Sequence, residues 1–117
     1  MTLLEKLDAL ARRYARDVME PDSFVRHYED AAHIIRAVSR LPAIQQTARE
    51  LADEMVQQKD IASLPRADEP ALLLANATRR AEVVRAYERI APMFWGARIP
   101  LDEACATVGG WVGDMRR

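Results

Sequence analysis

The sequence predicts an all-α fold: one domain over residues 1–117, built as a bundle of about five helices. Three observations carry that prediction. Apolar residues recur at alternating steps of three and four along most of the chain. No stretch alternates apolar and polar residues with period two between turn residues, so no strand is expected. With 50% hydrophobic and 30% charged residues in 117, the composition is that of a globular chain large enough for a single core.

Thr2-Leu3-Leu4-Glu5 has capping-box spacing, in which each side chain accepts a hydrogen bond from an unpaired backbone N–H at a helix start. Leu3, Leu7, Leu10, Tyr14 and Val18 then form one helical face with a heptad-like seam. Glu20-Pro21-Asp22-Ser23 ends this helix, because proline cannot continue the ladder, and Asp22 or Ser23 caps the next. A second helix over 24–40 carries Phe24, Tyr28, Ala31, Ile35 and Val38 on its inner face. Leu41-Pro42 marks a corner, and Ile44, Ala48, Leu51, Ala52 and Met55 form the seam of the third helix. The short connections predict antiparallel neighbours.

Residues 58–69 have no clean period and contain Pro65, so they form the one long connection, with Ile61 and Leu64 against the core. Asp68 is the expected cap of the helix that follows. That helix, over 70–91, is the expected centre of the bundle. Leu73, Ala77, Val84, Tyr87 and Ala91 fall on one line, widened by Leu72, Leu74, Ala81, Val83 and Ile90 to about half the circumference. Ile99-Pro100-Leu101-Asp102-Glu103 opens a last helix with two acids in its first turn, where the dipole favours them. Gly109, Gly110 and Gly113 weaken it by about 1 kcal/mol each, so fraying near Gly109 is expected without outside support.

Several function classes fall away. Net charge is −1, from 17 basic and 18 acidic residues, which steers the chain neither to nucleic acid nor to an anionic membrane. Residues 99–109 resemble the first helix and turn of a helix-turn-helix, but the eight residues after Gly109 include Gly110 and Gly113 and cannot form a recognition helix. Direct nucleic-acid binding is not expected. No apolar run approaches the roughly 18 residues of a membrane span, and no signal-peptide hydrophobic region follows Met1. One cysteine, Cys105, allows no internal disulfide and suits a reducing cytoplasm.

Catalytic and metal chemistry is also poorly provided for. Asp30-Ala-Ala-His33 has the shape of half a di-iron ligand set, but a second such motif needs a further histidine, and only His27 and His33 exist. His33 lies opposite the apolar face and should point to solvent. Cys105 has Asp102 and Glu103 beside it, which raise a thiol pKa; it is expected to be a small buried thiol, although a distant histidine partner stays open. Gly109 to Gly113 lacks the strand, lysine and Ser/Thr of a phosphate loop. The chain is therefore expected not to be an enzyme and to carry no metal and no cofactor.

What remains is a surface for a partner. Met93, Phe94, Trp95, Trp111, Val112 and Met115 concentrate both tryptophans in the last quarter of the chain, and such residues are enriched at interfaces. Either they close the core of a small bundle or they form a partner-binding patch. Gly109-x-x-x-Gly113 adds a smooth place where another backbone can come close. Arg80 falls near the middle of the apolar arc over 70–91; it either snorkels or pairs with an acid of this chain, or it meets an acid on a partner. The candidate partner-binding residues are Phe94, Trp95, Trp111, Met115 and Arg80, with Trp95→Ala or Trp111→Ala expected to weaken binding while leaving helicity intact.

The whole chain, short, helical, rich in alanine and arginine and opening Met1-Thr2-Leu3-Leu4-Glu5-Lys6-Leu7, resembles the small helical bacterial quorum-sensing anti-activators. That resemblance implies a cytoplasmic homodimer that binds a LuxR-type transcription factor and blocks its dimerisation and DNA binding. The alternative is a phage- or plasmid-type inhibitor or adaptor acting on a different protein.

Overall fold

The computed structural model describes residues 2–38, 43–90 and 98–115. Among these are six α-helices: α1 (Leu3–Tyr14), α2 (Val25–Val38), α3 (Ala43–Gln57), α4 (Pro70–Leu73), α5 (Ala77–Arg89) and α6 (Leu101–Met115). A 3-10 turn at Pro21–Ser23 joins α1 to α2, and the described residues contain no strand. The expected all-α bundle forms. The corner at Leu41-Pro42, the seam side chains Val38, Ile44 and Ala48, and the cluster Met93-Phe94-Trp95 lie outside the described residues.

The start of α1 follows the sequence. Glu5 N–H donates to Thr2 Oγ1 at 3.2 Å and Thr2 N–H to Glu5 Oε1 at 3.1 Å, so each side chain satisfies the other's orphan donor. Leu4, Leu7, Leu10 and Tyr14 are buried on one face. The helix stops at Tyr14, short of the seam position Val18, which is 78% exposed. Arg79 of α5 covers the end of the helix. Its guanidinium donates to the carbonyls of Tyr14 at 2.6 Å and Arg16 at 3.0 Å and lies over the Tyr14 ring, so the free carbonyls at the helix end are met from outside.

The centre of the bundle is α2, in place of residues 70–91. Val25, Tyr28, Glu29, Ala31, Ala32 and Ile35 are all buried. This helix packs most extensively on α6 and also touches α1 and α5. Apolar residues at three-and-four spacing, interrupted only by Glu29, allow contact on several sides. In α3, which packs on α6, Ala52 and Met55 of the expected seam are buried, whereas Leu51 is half exposed.

The single helix expected over 70–91 is two helices. Glu69, not Asp68, caps α4 with Pro70 in its first turn, and Asp68 pairs with Arg66. Leu74 then takes a left-handed conformation, φ 48° and ψ 43°, and ends α4. Asn76 restarts the chain as a helix, its Oδ1 accepting from Arg79 N–H at 3.0 Å. An asparagine side chain placed to bond the third amide onward favours a helix start over a helix interior. The break also changes which residues face inward: Leu74, Val83, Ala86 and Tyr87 are buried, while Leu73 is 58% exposed.

The long connection lies where expected, with Ile61 buried and Leu64 half-buried. Asp8 of α1 anchors it: its carboxylate accepts from Ala62 N–H at 3.0 Å and from Arg12 Nε at 2.7 Å. The last helix does not fray at Gly109 but continues to Met115. Ala104, Cys105, Val108, Trp111, Val112 and Met115 are buried along one face, and that packing outweighs the helix-weakening glycines.

Candidate functional site

Trp111 and Met115 are core residues, 4% and 3% exposed. Of the two readings open for these positions, core and partner patch, their burial favours the core. Their place on the inner face of α6 follows from its register, which aligns them with Ala104, Cys105 and Val108. Trp111 is not perfectly housed, since its Nε1–H is buried without a hydrogen-bond partner among the described residues. Phe94 and Trp95 lie outside the described residues. Arg80 meets an acid of its own chain: Nη2 donates to Asp102 Oδ1 at 2.7 Å. That hydrogen bond, then the Asp102 charge, raises the guanidinium pKa. Both side chains remain substantially exposed, so the pair contributes little to stability.

The Arg80–Asp102 pair stands at one end of an open groove of about 380 Å³ between α4 and α6. Leu72 and Leu73, with Ala67 before them, form one wall. Ala106, Gly109 and Gly110 form the α6 side, with the buried Cys105 beneath. The α6 side is low because these residues have short side chains or none. A Cβ at Gly110 would meet nothing within 4 Å, and one at Gly109 would reach only the Ala67 carbonyl at 3.9 Å. Leu73 lines this groove and is 58% exposed. An exposed leucine beside a smooth helix face can receive a second helix laid along it.

Next to the groove, the entry to α6 is locked by polar contacts. Glu29 of α2 is fully buried and accepts from Arg98 Nε at 2.7 and 3.0 Å and from Ile99 N–H at 2.9 Å. Tyr87 of α5 donates its hydroxyl to the Ile99 carbonyl, and the Arg98 guanidinium lies 5.0 Å from the centre of the Tyr87 ring. Both backbone polar groups of Ile99 are thus bonded by side chains from other helices. Burial, then the Glu29 charge, pushes the Tyr87 phenol up to about 12. A buried carboxylate is costly unless its oxygens are met, and here cation and amide meet them together.

The remaining chemically able groups are scattered. His33 lies 3.7 Å from Glu29 with its side chain half exposed, as its wheel position predicts. His27 is half-buried, with Nδ1 lacking a partner among the described residues; burial, then the nearby Lys6 and Arg13, lowers its pKa. Cys105 is buried, and that burial, followed by the Asp102 charge, pushes its thiol up to about 12. A thiol so rarely ionised near neutrality is a weak nucleophile. Among the described residues no group of three or more His, Cys, Asp or Glu side chains could hold a metal ion, and no helix is long and apolar enough to cross a membrane.

Two features escaped sequence reasoning although signals existed. Glu29 follows Val25 by four residues and precedes Ala32 by three, which places it on the buried side of α2. Asn76 followed by Ala77-Thr78-Arg79 is a helix-start signal inside what read as a continuous helix, and it would have released Leu73 from the core. No protein-family model matches the chain, and no curated protein or solved structure was found to match it.

Proposed function

We propose that this protein acts by binding another protein in the groove between α4 and α6, as an inhibitor rather than an enzyme. The observation that supports this reading is Leu73, 58% exposed, beside a floor of Ala106, Gly109 and Gly110 that leaves room for a close helix. Small residues let two backbones approach, and a large apolar side chain at the rim supplies contact area. The choice of partner rests on the chain's resemblance to small helical anti-activators. It is a LuxR-type transcription factor, whose dimerisation and DNA binding are blocked, and the inhibitor itself is a cytoplasmic homodimer.

The test combines affinity capture from the native bacterial lysate with a gel-shift assay on the regulator recovered. One dominant transcription factor that loses its DNA complex as the protein is added supports the anti-activator reading. A nuclease subunit or another enzyme in its place would transfer the same groove to a different target. Leu73→Asp, which changes an exposed side chain, should retain wild-type helicity and lose capture. Normal capture by that variant would exclude the groove as the binding surface. Sedimentation equilibrium reads the homodimer directly.

A further inference from the structure

Three unusual features converge on α4. Its last turn ends in a leucine with left-handed backbone angles, a conformation that costs an L-residue with a full side chain and is normally left to glycine or asparagine. The helix is a single turn, Pro70–Leu73, preceded by the long connection and followed at once by an independently capped helix. Beside it, between α1 and the long connection, lies a small cavity of about 30 Å³ whose lining is polar in part and includes Leu7, Leu10, Leu64, Leu72 and, from α6, Val112. That space suffices for a water molecule but not for another side chain, so the turn lies against an incompletely filled site.

We propose that α4 is a hinged lid that opens by straightening at Leu74 into one continuous helix with α5. The apolar pattern over 70–91 is that of such a helix, since Leu73, Ala77, Val84 and Tyr87 align on it. The bent form is favoured by the burial of Ala71 and Leu74, at 0% and 3% exposed, and by two hydrogen bonds. Tyr28 of α2 donates its hydroxyl to the Ala71 carbonyl at 2.7 Å, and Asn76 caps α5 only when the chain is bent. Against them stands the left-handed leucine, which becomes right-handed on straightening. Opening withdraws Leu72 from the cavity, uncovers Leu7, Leu10 and Val112, and removes one wall of the α4/α6 groove. The lid thereby regulates how deep an apolar surface the protein presents. What it regulates rests on the protein-binding reading of that groove; the motion itself does not, and it is measured on the protein alone.

Cys105 reports the motion. It is 7% exposed and lies in the same groove as Leu72 and Leu73. The experiment is the labelling rate of this single thiol by a disulfide reagent, with global stability measured in parallel by urea unfolding. Tyr28→Phe removes the hydroxyl that holds Ala71 and is expected to raise the rate roughly fivefold. Asn76→Ala removes a cap present only in the bent form and places a better helix former in the straight one, so a rise of about tenfold is expected. Ile35→Val lowers global stability at a site away from the hinge and should leave the rate unchanged.

The proposal is overturned if labelling in all three variants follows global stability, because the thiol is then reached only by unfolding. It is also overturned if Tyr28→Phe accelerates labelling and Asn76→Ala does not, because α4 then melts while α5 keeps its cap. Failure of Leu73→Asp to reduce capture removes the groove reading and leaves these rates untouched.

Discussion

The two flanks of α6 are built in opposite ways. At its entry, Glu29 is fully buried with Arg98 and Ile99 N–H bonded to it, and Tyr87 holds the Ile99 carbonyl. Along the groove, Leu73 is exposed, the floor is alanine and glycine, and α4 hangs from a left-handed leucine beside a small cavity. A buried charge tolerates no slack, because each unmet oxygen costs several times what a lost apolar contact costs. The apolar flank is governed by many weak contacts and can be rearranged at low cost. In this bundle, rigidity comes from a few matched polar groups, and the surface suited to recognition is the loosely packed one.

The largest predicted effect is at the rigid flank. Glu29→Ala empties a fully buried site and removes the carboxylate to which Ile99 N–H and Arg98 Nε donate, and should cost about 3–5 kcal/mol in urea unfolding. A loss below about 1 kcal/mol would abolish the contrast between the two flanks. Trp111→Ala should act mainly on stability, by a similar amount, because the ring is core.

Alkaline pH should weaken both flanks together. Burial raises Tyr87 from 10.0 and Cys105 from 9.0, each to about 12 in the folded chain. The unfolded chain therefore releases these protons first and holds fewer of them in that interval, so stability falls as pH rises. Their contribution is complete below pH 9.0, begins to decline there for Cys105 and at 10.0 for Tyr87, and is lost as pH passes about 12. Urea midpoints at about pH 8 and about pH 11, with tyrosinate absorbance followed alongside, check this; equal midpoints would contradict it.

Smaller effects sharpen the other side. Gly110→Ala adds a methyl that meets nothing within 4 Å, so α6 should gain up to about 1 kcal/mol from helix propensity. If a partner lies on this floor, the same change reduces binding while stability rises, a combination that a purely structural glycine would not produce. Smallest of all, Leu73→Ser should alter stability by no more than about 0.5 kcal/mol, since the side chain is already largely in water.

Much of the helical layout was legible because its causes are local. The Thr2/Glu5 box, Pro21, Pro70 and the three-and-four spacing act within a turn or two of chain, so α1, α2, the long connection and α6 could be located from the residues. The break at Leu74 was half legible. Asn76 announces a helix start, yet the apolar pattern runs through it unbroken, and the contacts that go with the bent form, the Tyr28 hydroxyl on the Ala71 carbonyl and the burial of Leu74, come from the packed bundle. The candidate site was the least legible part. An aromatic residue in a periodic helix looks the same whether its face meets the core or a partner; α2 packing on α6 determined that Trp111 and Met115 turn inward.

By itself, then, the sequence determined the all-α class, the start of the first helix, the long non-helical connection and the buried, weakly reactive Cys105. Only the tertiary structure decided that α2 is the centre, that Glu29 closes on Arg98 and Ile99, that Arg79 covers the end of α1, and that Leu73 rather than Trp111 meets solvent. The division has one physical cause. Capping, proline geometry and helix periodicity are settled within a few residues, whereas the pairing of a buried charge and the orientation of a helix face depend on groups such as Glu29 and Ile99, 70 positions apart in the chain.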